Sequence, residues 1–233
     1  MKKLRILCLH GYHGSAAVLR QQMSGLTNSL SHLAEFVYVD APSLAHGDFG
    51  WWHAIREESW PAGGDPGVGA GTARYQGWER TQAWIVTLFQ KERPFDGVFG
   101  FSQGAALAAL LVGLRAPDGK PGTNKPLVFQ FAIMAGAFPT NDPVLADLYE
   151  AKASYDLPSA HIIGRSDFIV PGDYSHRVSR LFTQPLVLEH DAGHVVAATQ
   201  DIRNQMAGFL KQQIDVQNKH TAMDCAAPIR SAQ

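Results

Sequence analysis

Ser102 stands in Gly100-Phe101-Ser102-Gln103-Gly104, where an apolar run ends and an Ala/Leu run begins with no turn residues between them. A serine at such a junction either caps the helix that follows or serves as a nucleophile. The pattern G-x-S-x-G is common by chance, but its nucleophilic form has a required context, a strand directly before and a helix directly after. The sequence reads as both. The turn between them is sharp and strained, so small residues are needed two positions before the serine and two after it. Gly100 and Gly104 occupy those positions. A helix starting there aims its unpaired N–H groups and positive dipole end at the turn, which favours an oxyanion.

A nucleophilic serine at neutral pH needs a base, and the base needs a carboxylate to orient it. With this kind of turn the chain order is Ser, acid, His, the last two each on a loop after a later strand. His161-Ile-Ile-Gly164-Arg-Ser-Asp167 fits a strand leading to Asp167, and Leu186-Val-Leu-Glu-His190-Asp-Ala-Gly193-His194 fits a strand leading to His194. Asp173 and Asp191 compete as acids. Asp173 lies deeper, after Pro171, where a helix is expected to begin, and Asp191 shares the loop of the expected base. His190 and His194 also have the spacing of a helical metal pair, yet Gly193 and the preceding strand argue for a loop, and the sequence offers no evident third ligand.

An oxyanion would need two main-chain N–H groups, one from the residue after the serine and one from a loop after an early strand. Gln103 supplies the first. The second is expected from Tyr12, in Leu9-His10-Gly11-Tyr12-His13-Gly14. That stretch also reads as a plain Gly-rich turn, and His10-x-x-His13 as a thin metal signal.

The elements that must position these groups follow from periodicity. Leu4–Leu9 reads as a buried strand, and Leu19, Met23, Leu26, Leu30 and Leu33 recur at spacings of 4, 3, 4 and 3, one face of a helix that Ser15 can cap. Phe36–Val39, Asp96–Phe101, Leu127–Met134, His161–Ile163 and Leu186–Leu188 are further strands. Helical patterns occupy Tyr75–Gln90, Ser102–Leu114, Val144–Ala151, Tyr174–Phe182 and Thr199–Gln213; the one after Ser102 is apolar all round and must be buried. Alternation of strand and helix implies an α/β fold with a mainly parallel sheet covered on both faces. Residues 44–75 break the rhythm with Trp51, Trp52 and Trp60 and a Gly/Pro-rich half, too long for an ordinary connection.

Composition bounds the function. With 233 residues, 45% of them hydrophobic, the chain can bury one sizeable core, assigned to residues 1–214 with the 44–75 insertion inside it. The polar tail 215–233 carries no apolar period and is expected to be disordered or peripheral. A net charge of −1 leaves no basic excess for nucleic acid. The longest apolar run, Ala105 to Leu114, is about half a bilayer span. The start MKKLRILCLHGYHG reaches His and Gly too soon for a signal-peptide core, and Cys8 and Cys225 make no disulfide framework. A cytoplasmic location is expected, and the sequence leaves the oligomeric state open.

LCLHGYHGS, VYVDAPSL, GWW, GFSQGAALAALL, IIGRSDFIVP and HDAGHVV follow one another as they do in the FSH family of serine hydrolases, and over about residues 3–213 the chain resembles that family. The resemblance implies an α/β-hydrolase fold and hydrolysis of carboxylic esters or thioesters without a cofactor. Carried over by position, it implies Ser102 as nucleophile, Asp167 as acid, His194 as base, and Tyr12 and Gln103 as oxyanion donors. The Gly/Pro-rich stretch 61–73 departs from the family. Cleavage of small carboxylic esters through an acyl-enzyme is therefore expected, with a thioesterase or lyso-lipid hydrolase on the same residues as the alternative. A non-catalytic binding protein on the same fold is a third reading. Because an acyl chain needs an apolar wall, Trp51, Trp52 and Trp60 are expected to border its pocket, with burial in the core as the competing possibility.

Overall fold

In the computed structural model, which describes residues 3–42, 50–56, 72–149 and 154–226, strand β1 (Leu4–Leu9) is buried at every position. A strand covered on both faces has no polar side to alternate with, which is why it reads as a continuous apolar run. Leu4, Ile6 and Cys8 join the core on one face of the sheet, and Leu7 and Leu9 join the core on the other. Helix α1 (Ala16–Leu30) follows, with Leu19, Met23, Leu26 and Leu30 buried. Its cap is Ser15, whose Oγ accepts the Val18 N–H at 3.2 Å. Such a cap is worth about 1 kcal/mol.

The remaining elements are β2 (Ala34–Val39), β3 (His53–Arg56), β4 (Ala73–Gln76), α2 (Trp78–Lys91), β5 (Gly97–Phe101), α3 (Gln103–Gly113), β6 (Phe131–Ala135), α4 (Pro143–Tyr149), β7 (Ser159–Gly164), α5 (Gly172–Ser179), β8 (Pro185–His190) and α6 (Gln200–Ala226). Six strands form one sheet in the order β2-β1-β5-β6-β7-β8, and every neighbouring pair is parallel. The chain moves outward from β1 to β2 and then returns to place β5 on the other side of β1. In open parallel sheets such a reversal is where ligands bind, outside the carboxyl ends of the strands, here those of β1 and β5. Ser102 follows β5, and the His10–Gly14 turn follows β1. All eleven residues of α3 are buried, as an apolar helix in the middle of a layered fold must be.

Several expectations shift. Tyr75 belongs to β4, which pairs antiparallel with β3 from within the 44–75 insertion, so α2 begins at Trp78. Strand β6 starts at Phe131, while Leu127 makes only an isolated bridge with Arg115. The largest correction is at the carboxyl end. Helix α6 does not stop near Gln213 but continues to Ala226, and Ile214 is 4% exposed, so the first part of the expected tail is ordered helix. No helix among the described residues is long and apolar enough to cross a membrane.

Candidate active site

Ser102 has φ 55° and ψ −120° and, with His13, is one of two non-glycine residues at positive φ among the described residues. Such a conformation costs on the order of 1–3 kcal/mol and persists only where the surroundings enforce it. Here the enforcement is close packing between the turn and β1. A Cβ on Gly100 would lie 2.0 Å from the Gly104 carbonyl oxygen, and one on Gly104 would lie 2.1 Å from that of Leu9. The Ser102 N–H donates to Ala135 O at 2.9 Å, and its carbonyl accepts from Ala105 and Ala106. Its hydroxyl, unlike that of Ser15, makes no cap bond to the helix it precedes. The helix cap is therefore not what the side chain does.

Asp167 and His194 come from the loops after β7 and β8. The His194 Nδ1 lies 2.6 Å from Asp167 Oδ2. Asp167 Oδ1 accepts the Ile169 and Val170 N–H groups at 2.9 and 2.8 Å, which leaves the carboxylate only one oxygen to offer and fixes its direction. The rival acids stand elsewhere: Asp173 is in the first turn of α5, and Asp191 is paired with Arg165 at 2.8 Å on the surface. The imidazole is bounded by the Phe101 ring, 4.7 Å away between centroids, and by Gly136. Gly136 has φ 60°, and a Cβ there would meet His194 Cε1 at 3.1 Å. The residues immediately before Ser102 and just after β6 thus form the seat of His194. His190, the last residue of β8, is buried with no hydrogen-bond partner on either ring nitrogen among the described residues, and burial lowers its pKa.

The loop after β1 closes on the serine. A Cβ on Gly11 would sit 3.2 Å from Ser102 Cβ, so the Gly11–Tyr12 main chain runs alongside the turn. The Tyr12 side chain points to a different task, with its hydroxyl 2.9 Å from His53 Nδ1. Gln103 begins α3, and its buried carboxamide accepts from Trp51 N and donates to Trp52 O, both at 2.9 Å.

The tryptophans require a correction. Trp51 and Trp52 are both 0% exposed and belong to the core, so they offer no surface to a ligand. Trp51 Nε1 donates to His10 O at 2.8 Å, and Trp52 stacks on Tyr75 at 4.6 Å between centroids. Trp60 lies outside the described residues. Sequence reasoning also missed what His10 and the Gln103 side chain do. The ring of His10 is taken up by main chain, with the Ala41 N–H donating to Nε2 at 3.0 Å and Nδ1 2.8 Å from Gly11 O. The one available signal was that a buried polar side chain beside a Gly-rich turn must find a main-chain partner.

The chain is similar to known proteins over most of its length. The model of the family described as "Serine hydrolase (FSH1)" matches residues 1–206. Esterase C25G4.2 of Caenorhabditis elegans is 32% identical over 223 residues, covering 91% of this chain and 95% of that protein. Esterase OVCA2 of Homo sapiens is 29% identical over 232 residues, covering 91% and 97%. Among solved structures, acyl-protein thioesterase 2 of Zea mays superposes with a TM-score of 0.62 at 20% identity, covering 90% of this chain and 95% of that one, a likeness of fold. The fold is that of the α/β-hydrolases, and the chain belongs to the FSH1 family of serine hydrolases.

Proposed function

We propose that this hydrolase cleaves carboxylic esters through an acyl-enzyme on Ser102, with His194 as base and Asp167 as its orienting acid. The observation that carries the reading is the 2.6 Å bond between His194 Nδ1 and the buried Asp167, seated against the residue that precedes the strained serine. Since Nδ1–H donates to the carboxylate, Nε2 is bare and can accept a proton.

In this mechanism Nε2 takes the Ser102 proton as Oγ attacks the ester carbonyl. The main-chain N–H groups of Tyr12 and Gln103 hold the resulting oxyanion. Collapse breaks the bond to the alkoxy oxygen, and His194 returns the proton to the departing alcohol. Water then attacks the acyl-enzyme, again losing a proton to His194, and the carboxylic acid leaves as Ser102 is restored. Asp167 holds the tautomer throughout and stabilises the imidazolium that forms.

The relatives are named esterases, which favours an oxygen ester over a thioester. Ser102→Ala is expected to fold and to lose roughly 10⁴- to 10⁶-fold in turnover, on the order of 5–8 kcal/mol of barrier. Measurement on p-nitrophenyl esters and acyl thioesters of graded chain length checks this and separates the two bond types. Fluorophosphonate labelling at Ser102 separates an enzyme from a binding protein on the same fold. Near wild-type hydrolysis by Ser102→Ala would reject the assignment.

A further inference from the structure

His10 directly follows β1 at 1% exposure, and both of its ring nitrogens face main chain. An amide N–H can only donate, so the Nε2 that receives the Ala41 N–H carries no proton. The neutral ring then bears its proton on Nδ1 and donates it to the Gly11 carbonyl 2.8 Å away. Burial lowers the pKa of His10, so the neutral form is the one kept. The Gly14 N–H donates to the same carbonyl at 3.0 Å. Two donors therefore grip the Gly11 oxygen. In a trans peptide plane C=O and N–H point in opposite directions, so fixing that oxygen also fixes the direction of the Tyr12 N–H.

The other side of His10 is braced too. Its carbonyl accepts Trp51 Nε1–H at 2.8 Å, and Trp51 N–H is in turn held by the Gln103 carboxamide at 2.9 Å. A Cβ on Gly104 would lie 2.6 Å from His10 O, so the same carbonyl is pressed against the start of α3. The residue that follows the serine and the loop that passes beside it are thereby tied into one frame through His10.

The geometry points to His10 as a positioning residue, whose Nδ1–H sets the Gly11–Tyr12 peptide so that the Tyr12 N–H faces the oxyanion formed at Ser102. This rests on the reading of Ser102 as nucleophile and of Tyr12 and Gln103 as oxyanion donors. It predicts a defect in the transition state and not in substrate binding. A histidine that merely joins two loops would instead act through either nitrogen alike.

Two substitutions separate these roles. His10→Asn sets an amide N–H near the place of Nδ1 and abandons Ala41, whereas His10→Gln reaches the place of Nε2 with an acceptor oxygen and withdraws the donor from Gly11. His10→Gln is expected to lose roughly 10- to 100-fold in kcat with KM within about 3-fold, while His10→Asn keeps kcat within about 5-fold. Equal losses, or a larger loss in His10→Asn, would overturn the proposal. Nitrogen-15 NMR of the wild-type ring near pH ~7 provides a test that depends on no variant folding. A neutral ring protonated at Nδ1 supports the proposal, and one protonated at Nε2 overturns it. Ser102→Ala is measured alongside. If it hydrolyses esters normally, the underlying reading fails and this one with it; if it is inactive while His10→Gln turns over at the wild-type rate, only the role of His10 is rejected.

Discussion

Asp167 is distinguished from its rivals by what its two oxygens do. One is consumed by the Ile169 and Val170 N–H groups, and the other meets His194. Asp167→Asn should leave the fold intact but favour the wrong imidazole tautomer, costing roughly 10⁴-fold in kcat, while Asp173→Asn should do far less. Steady-state kinetics of the two variants checks this, and a reversed order would move the acid six residues along the chain. Ser102, Asp167 and His194 could be put forward as candidates from the sequence because each follows shortly after a strand, in an order the turn type requires. Trp51 and Trp52 misled because an aromatic cluster looks the same in a core as in a pocket wall; only burial separates them. With Trp52 fully buried and stacked on Tyr75, Trp52→Ala is expected to cost about 3–5 kcal/mol of stability while leaving chain-length preference unchanged. Thermal melts paired with the ester panel read both quantities, and a shifted chain-length profile at unchanged stability would return Trp52 to the pocket. The Gln103 carboxamide was illegible for a different reason: its partners lie more than fifty residues away in sequence.

Elements were legible where their apolar period was long and their ends were marked. The strands β3 and β4 have four residues each and lie in a stretch dominated by aromatic and glycine residues, so no period could build up. Helix α6 was cut short for the opposite reason. Beyond Ile214 its residues lose the apolar stripe, but from Asp215 to Ala227 there is neither Gly nor Pro, and the first breaker is Pro228. With no Gly or Pro to stop it, a helix already docked by Ile202, Met206, Leu210 and Ile214 continues. Two glycines in helices give opposite expectations. Gly104 has no room, since its Cβ would strike the Leu9 and His10 carbonyl oxygens at 2.1 and 2.6 Å, so Gly104→Ala should destabilise by more than about 3 kcal/mol or fail to accumulate. Gly208 in α6 has nothing within 4 Å, so Gly208→Ala should stabilise by about 0.5–1 kcal/mol. Urea titration of the two variants tests the packing around the serine turn against open helix surface, and loss of stability in Gly208→Ala would contradict the second expectation.

For the molecule as a whole, the alternation of strands and helices implied a covered parallel sheet, but not the strand order, because nothing local records on which side of β1 the chain returns. That return is what brings the turns after β1 and β5 together, while the loops after β7 and β8 add Asp167 and His194. The sheet and the turn after β1 bury His10, His161 and His190, and this has a consequence for the pH dependence of folding. Burial pushes the His161 ring down to about 3, assisted by the nearby His176, and also lowers His10 and His190. Each ring is neutral in the folded state and titrates near its ordinary value of about 6.5 in the unfolded chain. Above that value neither state takes a proton, and the three rings add no pH dependence. As pH falls below it the unfolded chain binds protons that the fold refuses, so stability drops, and for His161 the drop levels off only near its folded value of about 3. At pH ~5 the His161 contribution to this loss reaches up to about 2 kcal/mol. The expected outcome is a fall in the urea midpoint between pH ~7.5 and ~5, with His161→Gln, which can still reach Ser159, showing a fall smaller by about 1–2 kcal/mol. Absolute stability of the variant is not the readout; the difference between the two pH values is. An unchanged pH dependence in His161→Gln would mean that the ring takes up its proton within the fold, and that acid sensitivity arises elsewhere.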